Sequence, residues 1–393
     1  MNEEVYLEGL FPQMVEWRRY LHKHPEVSFE EKKTSAFVES RLQEMGYEVT
    51  SGIAGHGVMA ILKGGQPGKT IVLRADMDAL PIQDEKNCEY KSTVDGIMHA
   101  CGHDGHTSIL LAAASYFKAN QELVRGEIRF IFQPAEEVCP GGAVGMIEAG
   151  VLNGADVIYG LHLWTPLAIG TASSLPGPMM AAADEFFIDI IGKGGHGGMP
   201  HMTADAVVAG SALVVQLQSI VSRSVDPLQP AVVTVGTIQG GFAQNVVADR
   251  CRITGTVRTF DEDTRKLIRA RLERITESTA EAYGTESSVQ YLNGYPAVVN
   301  DEKEAERFFQ TAPRVFGKEH VFRSPKIMPA EDFAYYLREL PGCFMFVGAG
   351  NKEKAAVYPH HHPRFDFDED AMLHGLKLLV EMTRSYQDEH ALG

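Results

Sequence analysis

Apolar positions in the first half of the chain switch between two periods. Leu21, Phe37, Val38 and Leu42 recur at helical spacing, whereas "GVMAILKG" (57–64), "TIVLRADMD" (70–78), "EIRFIFQPAEE" (127–137) and "ADVIYGLHLW" (155–164) are short apolar runs. Between the middle two lies "HTSILLAAASYFKAN", an apolar stretch of helical length. Ser28 followed by Glu31 has capping-box spacing and predicts a helix start. Strands that alternate with helices and are apolar throughout predict a layered α/β domain around a largely parallel, buried sheet.

From about residue 184 the order changes. Strand "EFFIDIIG", helix "TADAVVAGSALVVQLQSIVS", strands "AVVTVGTIQGG" and "RCRITGTVRTF", helix "DEDTRKLIRARLERITESTAEAYG" and strand "ESSVQYLNG" follow one another. This βαββαβ series predicts a ferredoxin-like α+β unit. "SSLPGPMMAAAD" and "YPAVVND" flank it as candidate hinges, and the tail returns to mixed helices and strands. The expected architecture is one discontinuous α/β domain, residues 1–183 and 296–393, with an inserted α+β domain at 184–295. A chain of 393 residues suits two such cores.

Composition adds exclusions. The apolar share, 44%, and the charged share, 22%, are those of an ordinary globular chain. Acidic residues outnumber basic ones 52 to 36, a formal charge of -16, which argues against nucleic-acid or anionic-membrane partners. The N-terminus lacks a secretory pattern, and no run of about 18 apolar residues is legible. Five scattered cysteines do not make a disulfide framework, so a reducing, cytoplasmic setting is expected.

Candidate chemistry gathers at strand ends. "RADMDALP" puts Asp76 and Asp78 after one strand, "MHACGHDGH" precedes a helix, "FQPAEE" ends a second strand with Glu136 and Glu137, and "GLHLW" carries His162. Ligands of open α/β sheets bind at the carboxyl ends of strands, so Cys101, His103, Glu137 and His162 could converge there. Thiolate, imidazole and carboxylate are the donor set of zinc and similar ions. Adjacent glutamates allow a division of labour: one holds metal while the other moves a proton. A histidine from "YPHHHPRFDF" could complete the set, and Asp78 is placed to orient a ligating imidazole. A Cys–His thiol nucleophile is the competing reading, but it leaves the glutamate pair and His162 unexplained. His99, His106 and Asp104 are readable as helix-entry hydrogen bonding or capping, and His22 and His24 as part of a turn before Pro25. "PGGAVG" lacks a phosphate-binding signature and predicts a close approach of loop and helix.

The strings "RADMDALP", "MHACGHDGH", "FQPAEE", "GLHLW", "GKGGHGGMPH", "NVVAD", "GTVRTF", "AEDFAYY" and "HHPRF" occur in order across nearly the whole chain. Together they resemble the bacterial and plant aminoacylase family of metal-dependent amidohydrolases, which includes hippurate and auxin-conjugate hydrolases. That family lies within a larger group of two-metal exopeptidases and deacylases. The resemblance implies that Cys101, His103, Glu137, His162 and His361 ligate two divalent ions (zinc, manganese, cobalt or nickel), with Cys101 bridging. His361 is chosen over His360 and His362 because it matches the family's H-x-P-x-F pattern. Glu136 is implied as general base and acid, and Asp78 as the support of a ligand. The inserted unit is implied as lid and dimerisation domain, with His196 stabilising the oxyanion in a partner's site. Asn245 and Arg258 would hold the substrate carboxylate, although on pattern alone Arg258 could equally lie on a solvated sheet face.

The implied activity is hydrolysis of N-acyl-L-amino acids by a homodimer or homotetramer. Alternatives are a dipeptidase or carboxypeptidase, an N-acetyl-diaminopimelate deacetylase, or a silent metal-binding assembly protein. Departures from the usual pattern are Gly197 and Gly198, where alanines are common, and Pro329, where glycine is common. None is a proposed ligand.

Overall fold

The computed structural model describes residues 3–391. They divide into two compact units: one comprises the chain up to Gly177, Val298–Pro325 and Asp332 onward, the other Pro178–Ala297 with Lys326–Glu331.

The first unit is built on an eight-stranded sheet in the order Val49–Ile53, Gly57–Lys63, Arg125–Gln133, Gln66–Asp76, Val157–Ala168, Gly342–Gly350, Ala172–Ser174, Val321–Arg323. The four central strands, from Arg125–Gln133 to Gly342–Gly350, run parallel, and the antiparallel pairings lie toward the edges. This is the mixed, largely parallel sheet that the apolar runs predict. Alternation along Gly342–Gly350 shows that both faces are covered. Cys343, Met345 and Val347 join the core beneath helices Glu3–Lys23, His103–Ala119 and Asp370–Glu389, whereas Phe344 meets Phe333 of the Phe333–Glu339 helix with rings 5.0 Å apart. Helix His103–Ala119 is buried along almost its whole length, as its uninterrupted apolar sequence requires. Truncating one of its fully buried leucines would cost about 2–5 kcal/mol.

The second unit carries an antiparallel sheet in the order Val232–Gly240, Arg250–Thr259, Ala182–Ile191, Glu286–Asn293. With helices Ala206–Ser219 and Glu262–Ala282 it forms the βαββαβ unit that the sequence pattern predicts. Its core joins Phe186, Ile188, Leu213, Leu217, Ile253, Ile268 and Leu272. In the charge-rich helix Glu262–Ala282, Arg265 is buried against Asp184.

Four local expectations are corrected. Ser28 and Glu31 do not form a capping box: Ser28 Oγ donates to Asp78 Oδ2 at 2.6 Å, and Glu26 Oε2 accepts Lys33 N and Thr34 N, both at 2.8 Å, in its place. His22 lies inside the first helix rather than in a turn. Its Nδ1 is 2.7 Å from Asp104 Oδ2, an oxygen that also accepts Arg18 Nε at 2.9 Å. Asp104 thus anchors the ligand-bearing helix to the N-terminal helix through a buried pair, the kind whose rupture costs about 3–5 kcal/mol. Finally, Ala206–Ser224 is long and apolar enough, by length and composition alone, to cross a membrane. One face of it packs: Ala209, Leu213, Leu217 and Ile220 are fully buried in the second unit's core, while Val208 and Val215 face outward.

Candidate metal centre

Three segments of the first unit meet at the carboxyl ends of its parallel strands. Strand Gln66–Asp76 delivers Asp76 and Asp78, strand Arg125–Gln133 leads into the Pro134–Glu137 turn, and strand Val157–Ala168 brings His162 two residues beyond its last pairing with strand Gln66–Asp76, Arg74 with Gly160. Cys101 and His103 flank Gly102, whose φ of 97° is a left-handed conformation that a side chain would strain. This reversal lets a loop residue and the first residue of a helix serve one centre. The tail loop is tied alongside by His361 N donating to Ala100 O at 2.8 Å.

Ligand-type atoms form two groups that share one sulfur. Cys101, His103 and Glu137 lie within 4.8 Å of one another, and so do Cys101, His162 and His360. His103 Nδ1 faces Asp78, 2.9 Å from its carbonyl and 3.2 Å from Oδ1, which leaves Nε2 aimed at the group. His162 Nδ1 donates to Leu163 O at 2.8 Å, so its Nε2 is free to face Cys101 Sγ at 3.4 Å. Both rings therefore hold the tautomer of a metal ligand, oriented by an acceptor behind them.

The donor set fits a divalent ion. His103 Nε2 and Glu137 Oε1 are buried without a hydrogen-bond partner and stand 3.8 Å apart. Orphaned polar atoms of this kind are expensive unless a cation joins them. Electrostatics agree: burial opposes charge on His103, yet Asp76, Asp78 and Glu137 push it up to about 10. Burial and the carboxylates of Glu137, Glu136 and Asp76 push the Cys101 thiol far above its ordinary range, so its thiolate needs a cation beside it.

The third group, Asp76 with His103 and His106, is a different case. His106 spends Nδ1 on Asp76 Oδ1 at 2.7 Å and accepts Leu163 N on Nε2 at 2.9 Å, so it has no lone pair to offer. Asp76 also pairs with the buried Arg74 at 2.6 Å. Residue type alone could not separate His106 from His103; an arginine inside the apolar run "TIVLRAD" was the one signal of a buried anion nearby. His99, read from sequence as hydrogen-bonded at the helix entry, is instead buried with neither ring nitrogen partnered.

Within "HHH" the structure divides the roles. His360 Nδ1 is 3.8 Å from Cys101 Sγ, with its ring stacked on Trp164, and it completes the second group. His361, at φ 65° and half exposed, points Nε2 at Glu137 Oε2, 3.3 Å away. Glu136 is buried beside Glu137 but stands outside both Cys101 groups. The glycines of "PGGAVG" permit a close approach, since a Cβ at Gly142 would lie 1.9 Å from Pro134 O.

The other expected residues belong to the second unit. His196 lies in a two-stranded ribbon, Gly195–His196 with Val246–Val247, Asn245 immediately precedes its second strand, and both are exposed. His196 Nδ1 accepts Gly198 N at 3.0 Å, so the neutral ring carries its proton on Nε2 as an outward donor. Arg258 lies elsewhere. The ribbon adjoins the Arg250 end of strand Arg250–Thr259, through Gly192 N to Asp249 O, whereas Arg258 is eight residues along it, or roughly 27 Å at about 3.4 Å per residue. One copy of the unit does not bring Arg258 to His196 and Asn245.

Comparison with known proteins agrees with this picture. Residues 72–385 match Peptidase family M20/M25/M40. The N-acyl-L-amino acid amidohydrolase of Geobacillus stearothermophilus is 51% identical over 287 residues, covering 73% of this chain and 78% of that one. The N-acetyl-L-cysteine deacetylase of Bacillus subtilis is 41% identical over 389 residues, covering 99% and 92%. The crystal structure of the Bacillus subtilis YXEP protein, described as a dinuclear metal binding peptidase from the M20 family, superposes with a TM-score of 0.83 at 33% identity, covering 97% and 99%. With two donor groups sharing one thiol at the end of a parallel sheet, the chain belongs to peptidase family M20/M25/M40 and is a metal-dependent hydrolase with a dinuclear donor set.

Proposed function

We propose that the protein hydrolyses the amide bond of N-acyl-L-amino acids, releasing a carboxylate and a free amino acid. The observation that carries this reading is the glutamate pair: Glu137 belongs to a donor group with Cys101, while the adjacent Glu136 stands outside both Cys101 groups and clusters instead with Glu331 and Asp332. Relatives named for N-acyl-L-amino acid hydrolysis and N-acetyl-L-cysteine deacetylation, similar over most of the chain, support the substrate class. Two divalent ions, of zinc, manganese, cobalt or nickel, would polarise the amide carbonyl and make water acidic enough to attack at neutral pH.

The chain's own residues supply the rest. Cys101, His103, Glu137 and His162, with His361 or His360 from the tail, hold the ions. Asp78 fixes the His103 ring. Glu136 takes the proton of the attacking water and delivers it to the departing amine nitrogen. His196 Nε2–H donates to the carbonyl oxygen as negative charge develops there. Asn245 and Arg258 hold the free carboxylate, the guanidinium by a bidentate pair.

Arg258 stands far along its strand from the end that adjoins His196 and Asn245, which favours a composite site, completed in a homodimer or homotetramer by His196 of a partner subunit. A reducing, cytoplasmic location accords with five free cysteines, one of them at the centre of the donor set.

Release of primary amine from N-acetyl-L-methionine tests the reading. Release should stop with chelator and return with added metal. Hydrolysis confined to dipeptides, or none with any metal, would remove the substrate assignment. The composite site has its own test. Glu136→Ala and His196→Ala subunits, each nearly inactive, are co-expressed; mixed dimers keep one intact site of two, so about a quarter of wild-type activity should return. Absence of recovery in mixed dimers would mean that His196 serves its own chain.

A further inference from the structure

The turn that presents Glu136 has a conformation its sequence does not favour. Ala135 is fully buried at φ 54°, in the left-handed region that alanine avoids, and no glycine stands there to make it easy. Such a residue persists only where its surroundings hold it. Its N–H donates to Glu31 Oε1 at 2.7 Å, and its carbonyl accepts Gly142 N at 2.9 Å.

Glu31 is itself anomalous. It stands immediately before helix Lys32–Glu44 yet makes no side-chain capping bond to it. Its side chain turns inward and is fully buried; Oε1 accepts both Ala135 N and Phe29 N, the latter at 3.0 Å, while Oε2 has no hydrogen-bond partner. Phe29 is a second left-handed residue, at φ 67°. One carboxylate oxygen therefore clamps two strained residues from distant parts of the chain. A buried, half-satisfied carboxylate is a poor device for stability alone.

The same short segment works on the other side of the turn. Ser28 Oγ donates to Asp78 Oδ2, and that oxygen also accepts Glu137 N at 2.9 Å. The N–H before Glu136 is thus held by Glu31, and the N–H after it by Asp78. The peptide after Glu136 is fixed by the Asp78 carboxylate, the one before it by Gly142 N on Ala135 O, and the peptide preceding that by the Glu31 carboxylate.

We propose that Glu31 is a positioning residue for Glu136: it locks Ala135 in the left-handed conformation and so holds the Glu136 side chain outside the two Cys101 donor groups and toward the reacting water. Its catalytic consequence rests on the assignment of Glu136 as general base; its geometric claim does not. An accelerating group displaced by about 1 Å commonly loses about 10²-fold in rate.

The test compares metal-loaded wild type with Glu31→Leu, Glu31→Gln and the double variant Glu31→Leu with Ala135→Gly, by crystal structure, metal content and kinetics. Leucine removes the acceptor at similar volume, glutamine keeps Oε1, and glycine takes a left-handed φ without strain. In E31L the Glu136 carboxylate should shift by about 1 Å or more with Glu137 still in place, and kcat should fall about 10²-fold with KM and metal content nearly unchanged. E31Q should stay within about threefold of wild type, and A135G should restore about tenfold of what E31L loses. An unmoved Glu136 in E31L, or in Glu31→Ala if leucine does not fold, overturns the proposal, as does a kcat loss matched by metal loss. If Glu136 moves as expected but wild type hydrolyses no N-acyl amino acid, the positioning stands and the functional reading falls.

Discussion

Glu136→Ala should retain its metal and lose about 10³- to 10⁴-fold in kcat, near the upper end of what a general base contributes. The reason lies in the separation of roles along two adjacent residues. Glu137 faces His103 Nε2 and His361 Nε2 at 3.8 and 3.3 Å, so its carboxylate is committed to cations. Glu136 lies outside both Cys101 groups, so its removal leaves their donors complete. The backbone N–H groups on either side keep their acceptors on Glu31 and Asp78, so the turn survives the truncation. Elemental analysis beside single-turnover kinetics reads both halves of the expectation. Turnover near wild type would reassign the base, and a large loss of metal would make Glu136 a ligand.

Cys101→Ser should have the opposite signature: activity disappears because metal does. Cys101 is the one residue common to both donor groups, so its change weakens two ions together rather than one. A serine hydroxyl is smaller, harder and essentially un-ionised at neutral pH, and so fails as a bridging anion. Replacing a mere supporting residue typically costs 10- to 100-fold in metal affinity, so loss of the shared donor should exceed about 10²-fold. Metal content after exhaustive dialysis is the measurement, with wild type near two ions per chain and the variant well below one. Retention of both ions would show that the sulfur does not bridge.

Much of this protein is written locally in its sequence. The runs around 57–63, 70–76, 127–133 and 157–164 are strands because apolar, β-branched segments of that length bury on both faces. The βαββαβ series is legible because each of its elements carries its own period. The donors Cys101, His103, Glu137 and His162 were accessible too, since residue type and strand-end position together restrict what can ligate. The implied roles of His196, Asn245 and Arg258 come from the ordered set of family strings, and only the sheet register reveals how far apart Arg258 and the ribbon lie.

What the sequence could not settle are choices between chemically equivalent groups. His103 and His106 are three residues apart on one helix; only the placement of Leu163 N and Asp76 consumes one ring and leaves the other open. In "HHH", three identical side chains follow one another, and the left-handed turn at His361 decides which nitrogen meets Glu137 and which meets Cys101. Ser28 and Glu31 have capping spacing, yet partners far along the chain, Asp78 and Ala135, take their oxygens. Helix and strand are set by periodicity, which neighbouring residues carry along the chain. The partner of a polar atom is set by which distant segment packs against it, and the sequence of either segment alone does not contain that information.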